Sequence, residues 1–391
     1  MMLRRSGLRS FRKAAPKGMH RVSLMTLSLL SMLLAVSSFA PLPTEDSASA
    51  ATPKVQLGIN VLLYPQFGTR QQNLDAAARM FTYVRSLHAN TVALCFQIYP
   101  IVTTPGGSVV TTNTVGIGDA TPSPAYLGEV VDLAHRAGLK VQLRPLINED
   151  LLASPAVGSW RGAIAPTDPA AWFASYTSVL KPFMAMARRH TAEAFVVGAE
   201  MTSMVKRNRY WVPLINLTKR LSGAEVIYES NWNPRESLPA TSFGMEFYQP
   251  VQGLASLSEA TVANFTSAME ANLASTNLGA MPVPNSRVIL SEVGVGARDK
   301  GWVQPWNTSF DPATQSIIRS VQANWFTAAC NTVHDLGLNG LFFWTLILNK
   351  NFDPTASDDP AGSATATQQQ AYNWQNTASS AAINDCFTSF G

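Results

Sequence analysis

Residues that carry chemistry are scarce in this chain. It has five histidines and three cysteines in 391 residues, and 14% of its residues are charged. His135, His190 and His334 fall on helical patterns, His88 lies near a helix end and His20 near the N-terminus, so no histidine cluster forms a metal site or a Ser-His pair. GxSxG is absent, which argues against a nucleophile elbow. No GxGxxG or GxxxxGK[ST] follows the first apolar run, which argues against a nucleotide-binding sheet. Cys95, Cys330 and Cys386 are too few and too scattered for a metal cage or a disulfide scaffold. Cys95 reads as a small buried hydrophobe, and Cys330 with Cys386 is a candidate for one disulfide pinning the C-terminal tail. No cofactor and no metal is expected.

Basic runs are also missing once the N-terminus is set aside. Arg4, Arg5, Arg9, Arg12, Lys13, Lys17 and Arg21 precede an apolar run from Val22 to Ala40, with small-residue cleavage sites at Ser38-Phe39-Ala40 and Ala48-Ser49-Ala50. That is the layout of a secretory signal, and residues 1–50 are expected to be signal peptide and a short linker. The alternative is an uncleaved membrane anchor, since the run is near the length that spans a bilayer. Seven of the 29 basic and two of the 25 acidic residues lie in this leader, which leaves 22 against 23. The expected protein is therefore secreted and nearly neutral, monomeric, without a nucleic-acid partner and without a membrane once the leader is removed.

What the sequence has in quantity is apolar residues, 46%, arranged with a regular beat. Eight short runs rich in Val, Ile and Phe occupy residues 57–63, 91–99, 140–146, 194–200, 225–232, 243–248, 287–292 and 340–345. Helical stretches separate them. From Asn73 to Ala89, Leu74, Ala77, Phe81, Val84 and Leu87 share a stripe. Asp168-Pro169 and Asp311-Pro312 read as helix starts, and Gly138 and Gly337 as helix ends. Eight such units in about 300 residues predict an α/β fold, a (β/α)8 TIM barrel, over residues 51–348. The connection over 233–242 is too short for a full helix, and the third loop carries an insertion at 147–166. A C-terminal loop and tail, 349–391, is expected to pack on the barrel with a last helix near 370–386. DPTASDDP lacks the spacing of a calcium loop and reads as a solvated turn. Neither an internal repeat nor a second domain is evident.

Barrel enzymes place chemistry at the C-terminal ends of the strands, so each strand's last residues matter most. The fourth run, AFVVGAE, ends on Glu200 and the seventh, RVILSE, on Glu292. A truly buried, unpaired carboxylate costs several kcal/mol, so both positions must open into a polar cavity. The third run carries Arg144, the fifth ends on Asn231-Trp232, the sixth on Tyr248, and the eighth holds Trp344. Trp160, Arg161 and Trp306 sit in loops, where exposed aromatic and guanidinium groups serve ligands. Two carboxylates among tryptophans and hydrogen-bonding groups suit a sugar, and glycoside hydrolysis needs such a pair without a metal. Glu246, on the same strand face as Tyr248, competes with Glu292 for the nucleophile position but lies deeper and is expected to pair with Arg144 or another internal base. Glu229 is expected to be structural in the same layer.

The phrases GLKVQLRP (138–145), SWRGAI (159–164), VVGAEM (196–201), ESNWN (229–233), LSEVGV (290–295) and QPW (304–306) resemble glycoside hydrolase family 113, known chiefly for β-1,4-mannanases. The likeness spans roughly residues 55 to 346. It implies a retaining hydrolase with Glu200 as general acid/base and Glu292 as nucleophile; from their strand-end and loop positions, Arg144, Trp160, Arg161, Asn231, Trp232, Tyr248, Trp306 and Trp344 are expected to bind substrate. Tyr248 would orient the nucleophile. The chain departs from the family at Arg144-Pro145-Leu146, where Lys-Pro-His is usual, and loses a histidine that contacts the sugar. The expected partner is a β-linked polysaccharide or oligosaccharide such as mannan, cut internally. The alternatives are a glycosidase of other specificity, for β-glucan or β-galactan, and a carbohydrate-binding barrel without catalysis.

Overall fold

The computed structural model describes residues 55–101, 114–149, 160–232, 238, 240–275, 284–360 and 366–390. The expected leader therefore lies outside the described residues, as do most of the 233–242 connection and the middle of the third-loop insertion. Among the described residues no helix is long and apolar enough to cross a membrane.

All eight apolar runs form strands: β1 (Gln56–Leu63), β2 (Thr91–Ile101), β4 (Lys140–Ile147), β5 (Ala194–Ala199), β6 (Glu225–Asn231), β7 (Ser242–Glu246), β8 (Val288–Val293) and β9 (Gly340–Leu348). They pair in parallel in chain order, and β1 pairs with both β2 and β9, which closes the cylinder. The fold is a (β/α)8 TIM barrel. One unexpected strand, β3 (Thr114–Gly116), folds back antiparallel on the end of β2.

Helices α1 (Arg70–Ser86), α2 (Pro124–Arg136), α3 (Pro169–Arg189), α4 (Asn208–Ser222), α5 (Val262–Ser275) and α6 (Arg319–Asp335) wrap the cylinder. Their ends follow local chemistry. Thr69 and Gln72 form a reciprocal capping box, which starts α1 three residues before the expected Asn73. Asp168 accepts from the amides of Ala170 and Ala171 to open α3. Gly138 and Gly337 take left-handed φ values of 79° and 61° at the ends of α2 and α6, where a side chain would be strained. Asp311 corrects the expectation for the seventh helix. Its carboxylate satisfies only Ala313 N–H and the Thr314 hydroxyl in one local turn, and α6 begins at Arg319, where Trp325 and Phe326 can be buried.

Past β9 the chain completes the outer layer. α7 (Gln368–Tyr372) is one short turn, and α8 (Ala378–Ser389) packs Phe387 against Phe343 of β9, with ring centroids 5.6 Å apart. Arg319 of α6 donates to the carbonyls of Asp358, Gln370 and Asn373, and the Gln322 side chain donates to the carbonyls of Tyr372 and Val295. Cys330 of α6 and Cys386 of α8 form the candidate disulfide, 56 residues apart. DPTASDDP is a turn: Asp353 accepts from Thr355, and Asp358 from the amide of Gln375.

Closing a loop of this length removes entropy from the unfolded chain. Cys386→Ser should therefore lower the unfolding free energy by about 2–4 kcal/mol, read from equilibrium denaturation. A midpoint that neither the substitution nor reduction moves would contradict it.

Candidate active site

The polar lumen begins one layer below the strand ends. Arg144 of β4 is completely enclosed, with 0% of its surface exposed. Its guanidinium bonds carboxylates from three successive strands: Glu229 of β6, Glu246 of β7 at 2.5 Å, and Glu292 of β8. Gln142 donates to the other oxygen of Glu229 at 2.8 Å, and Asn60 of β1 accepts from Arg144 at 3.3 Å. Gly244 makes room for this layer, since a Cβ there would lie 2.6 Å from Glu229 and 2.8 Å from Ser291. Burial alone would drive the Arg144 proton off, but the three carboxylates outweigh it and hold its pKa above its usual value. Burial pushes Glu229 up to about 7 even with Arg144 pulling it down. Cys95, against the same guanidinium, is raised by burial to about 12 and is inert.

Local backbone irregularities aim the two strand-end glutamates into the cavity. The register of β8 slips against both β7 and β9, so Glu292 turns inward directly after Ser291, which already faces the lumen. At the end of β5, Glu200 adopts a left-handed φ of 51° and donates its amide to Glu229 O at 2.9 Å. Such a backbone costs about 1–2 kcal/mol for a residue with a Cβ, and it turns the chain sharply so that the carboxyl enters the cavity.

That cavity, about 530 Å³, opens at the C-terminal end of the barrel. Glu200 and Glu292 line it with Glu149, Trp160, Trp232, Tyr248, Trp306, Thr308, Trp344 and Tyr372. The Tyr248 hydroxyl donates to Glu292 Oε2 at 2.7 Å, the position expected of a group that orients this carboxylate. Gly294 leaves space for both tyrosines, since a Cβ there would stand 2.8 Å from the Tyr372 hydroxyl and 3.2 Å from the Tyr248 ring. Trp232 and Trp306 stack face to face, 5.2 Å between centroids and 11° between planes, and Trp306 is 43% exposed. Trp344 lies over Arg144, 5.8 Å from ring centroid to guanidinium carbon. The Glu200 side chain is 12% exposed; burial raises its pKa, against the pull of Arg161 and a hydrogen bond to Glu246.

Three of the expected sugar contacts are placed differently. Arg144 has no surface to offer a ligand, because the three carboxylates and Trp344 enclose it. Asn231 turns its carbonyl oxygen onto the Trp232 amide at 2.7 Å and does not line the cavity. Arg161 lies behind the wall, bonded to Glu149 at 2.8 Å and 3.8 Å from Glu200. Glu149, Thr308 and Tyr372 were not anticipated. Glu149 had a signal, standing two residues past the end of β4, whereas Tyr372 arrives from the tail and is pinned by its bond to Pro305 O at 2.9 Å.

The lumen charges tie stability to pH. Glu229 binds its proton more tightly when folded, so the stability it contributes is complete below its ordinary value of 4.5 and is lost as pH rises through about 7. Unfolding midpoints should fall over that interval, and Glu229→Gln should flatten the slope; an equally steep slope in the variant would contradict the assignment. Arg144→Met, which strands three buried carboxylates, should cost about 3–5 kcal/mol of stability in the same measurement.

The architecture and the site can be set beside known proteins. Two solved GH113 β-1,4-mannanases superpose on the chain: one, solved as a complex, with a TM-score of 0.65 at 17% identity over 86% of this chain and 99% of that one, and AaManA from Alicyclobacillus acidocaldarius, bound to ManMIm, with 0.63 at 21% identity over 86% and 98%. A GH5_18 protein from Streptomyces cattleya in complex with GlcNAc matches with 0.53 at 16% identity, over 87% and 81%. No curated protein sequence matches the chain. The model of Glycoside Hydrolase Family 113 matches residues 67–360. With that match across three quarters of its length, on a closed barrel whose strand ends carry two glutamates in one cavity, the chain belongs to Glycoside Hydrolase Family 113 and is a glycoside hydrolase acting on an oligosaccharide or polysaccharide.

Proposed function

We propose that the enzyme cleaves internal β-1,4-mannosidic bonds, or closely related β-linked ones, with retention of anomeric configuration. The observation that carries this reading is the opposite treatment of two carboxyls in one cavity: Arg144 and Tyr248 both donate to Glu292, while Glu200 is partly desolvated and has a raised pKa. Glu292 attacks the anomeric carbon as Glu200 gives its proton to the departing glycosidic oxygen. Glu200 then takes a proton from water as the water oxygen attacks the same carbon and releases Glu292. Tryptophans 160, 232, 306 and 344 offer ring faces for pyranose stacking along the cleft. The likeness to β-1,4-mannanases supports the choice of substrate. The basic and apolar leader, together with a disulfide suited to an oxidising compartment, supports a secreted enzyme.

Hydrolysis assays on mannan, β-glucan and β-galactan should show turnover highest on mannan, with the β-anomer as first product by proton NMR. Glu292→Ala should remove activity by at least about 10³-fold. Glu200→Ala should lose most activity on mannan yet keep the first step on aryl glycosides whose leaving group needs no proton, with azide restoring turnover. First release of the α-anomer, or unimpaired mannan cleavage by Glu292→Ala, would overturn the reading.

A further inference from the structure

The cavity floor holds more carboxyls than its cations can balance. Arg144 is bonded to Glu229, Glu246 and Glu292, and Arg161 to Glu149 with Glu200 beyond it. Of these carboxyls, Glu229 and Glu246 are sealed from solvent, while the Glu292 and Glu200 side chains are 7% and 12% exposed. So large an excess of negative charge in a desolvated pocket binds protons instead of persisting.

The position of one such proton can be read from the geometry. Glu246 spends one oxygen, Oε1, on Arg144. Its other oxygen, Oε2, is buried and receives no N–H or hydroxyl donor among the described residues. The Glu200 carboxyl lies within hydrogen-bonding reach of the Glu246 side chain. Carboxylates only accept, so two carboxyl groups can bond to each other only across a proton. The groups around Glu246 are Arg144 from β4, Glu229 from β6, Glu292 from β8, Glu200 and Arg161 from the loops after β5 and β4, and Tyr248 two residues on. Burial raises Glu246 well above the ordinary carboxyl range; the charges of Glu200 and Glu292 add to this and Arg144 opposes it.

We propose that Glu246 is a positioning residue that shares one proton with Glu200, keeping a proton available to the acid/base beside Glu292. This rests on the reading of Glu200 as proton donor. The charge balance of the cycle follows. Before reaction, Glu292 is one anion and the Glu200–Glu246 pair is another. When the shared proton leaves on the glycosidic oxygen and Glu292 becomes an ester, both members of the pair are anionic and the total is unchanged. Arg144, which bonds both Glu292 and Glu246, loses one negative neighbour as it gains another. Water then returns a proton to Glu200 as its oxygen takes the anomeric carbon from Glu292.

The test is Glu246→Gln, which keeps the shape and a contact to Arg144 but cannot exchange a proton with Glu200. The basic limb of the kcat/KM profile on mannan should move down by about one pH unit or more, while an aryl glycoside with a leaving group that needs no proton keeps its rate of glycosylation. In protein labelled with ¹³C at the glutamate carboxyls, Glu200 should titrate in two steps in the wild type and in one in the variant. A loss of rate that is uniform across pH, with the limb unmoved, would overturn the proposal and leave Glu246 a structural residue. The carboxyl titration needs neither substrate nor variant: independent single-step curves for Glu200 and Glu246 in the wild type would also overturn it, whatever glycan the enzyme cuts.

Discussion

One guanidinium inside the barrel, that of Arg144, is the constraint on which the rest of the site depends. It starts on β4 and reaches carboxylates on β6, β7 and β8, so it ties one side of the cylinder to the other. A TIM barrel lumen is ordinarily filled with branched apolar side chains. Here only a small apolar cluster, including Ala93, Val196, Ile227, Ile289 and Phe342, fills the lumen, and the charged layer takes the remaining space. A buried ion pair gains little over a hydrophobic filling of the same volume. Its worth lies in position: Glu292 has one place to be, set by Arg144 on one oxygen and Tyr248 on the other. Preorganised charge of this kind is what a reaction with a developing oxocarbenium ion requires.

The walls around that floor come from distant parts of the chain. Trp232 follows β6, and its stacking partner Trp306 sits on the loop after β8. Tyr372 belongs to the segment after β9, which Arg319, Gln322 and the disulfide fasten to α6. The same segment supplies α8, which covers β9, so the tail both completes the barrel's outer layer and contributes a side chain to the cavity. Fold stability and site geometry are thereby coupled at the C-terminus.

The staves were legible because a strand buried on both faces is mainly apolar, and each of the eight runs is rich in Val, Ile, Leu or Phe even where a polar residue interrupts it. Glu200, Glu292 and Tyr248 were legible because each breaks or ends such a run where barrels place chemistry. Other features depend on geometry that residue order does not encode. Arg144 could be assigned to an inward face by strand parity, but its depth, and hence its isolation from any ligand, follows from how the layers stack. The bulges that turn Glu292 inward and the left-handed turn at Glu200 carry no glycine to announce them. Asp311-Pro312 has the composition of a helix start, yet one turn satisfies it, and burial of Trp325 and Phe326 decides where α6 lies. Tyr372 reaches the cavity only through tertiary contacts made by a loop rich in Ala, Thr and Gln. Leu146 is buried among the lumen's apolar side chains, in the cluster against which Trp344 packs.

The central claim, that Glu292 and not its deeper neighbour Glu246 forms the covalent intermediate, is tested most directly by trapping. A 2-deoxy-2-fluoro-β-mannosyl fluoride slows release of the glycosyl-enzyme more than its formation, so the label should stay on the attacking residue. Peptide mapping by mass spectrometry should find one fluorosugar per chain on the peptide carrying Glu292. Label on Glu246 or Glu229, or inactivation with no label on Glu292, would contradict it.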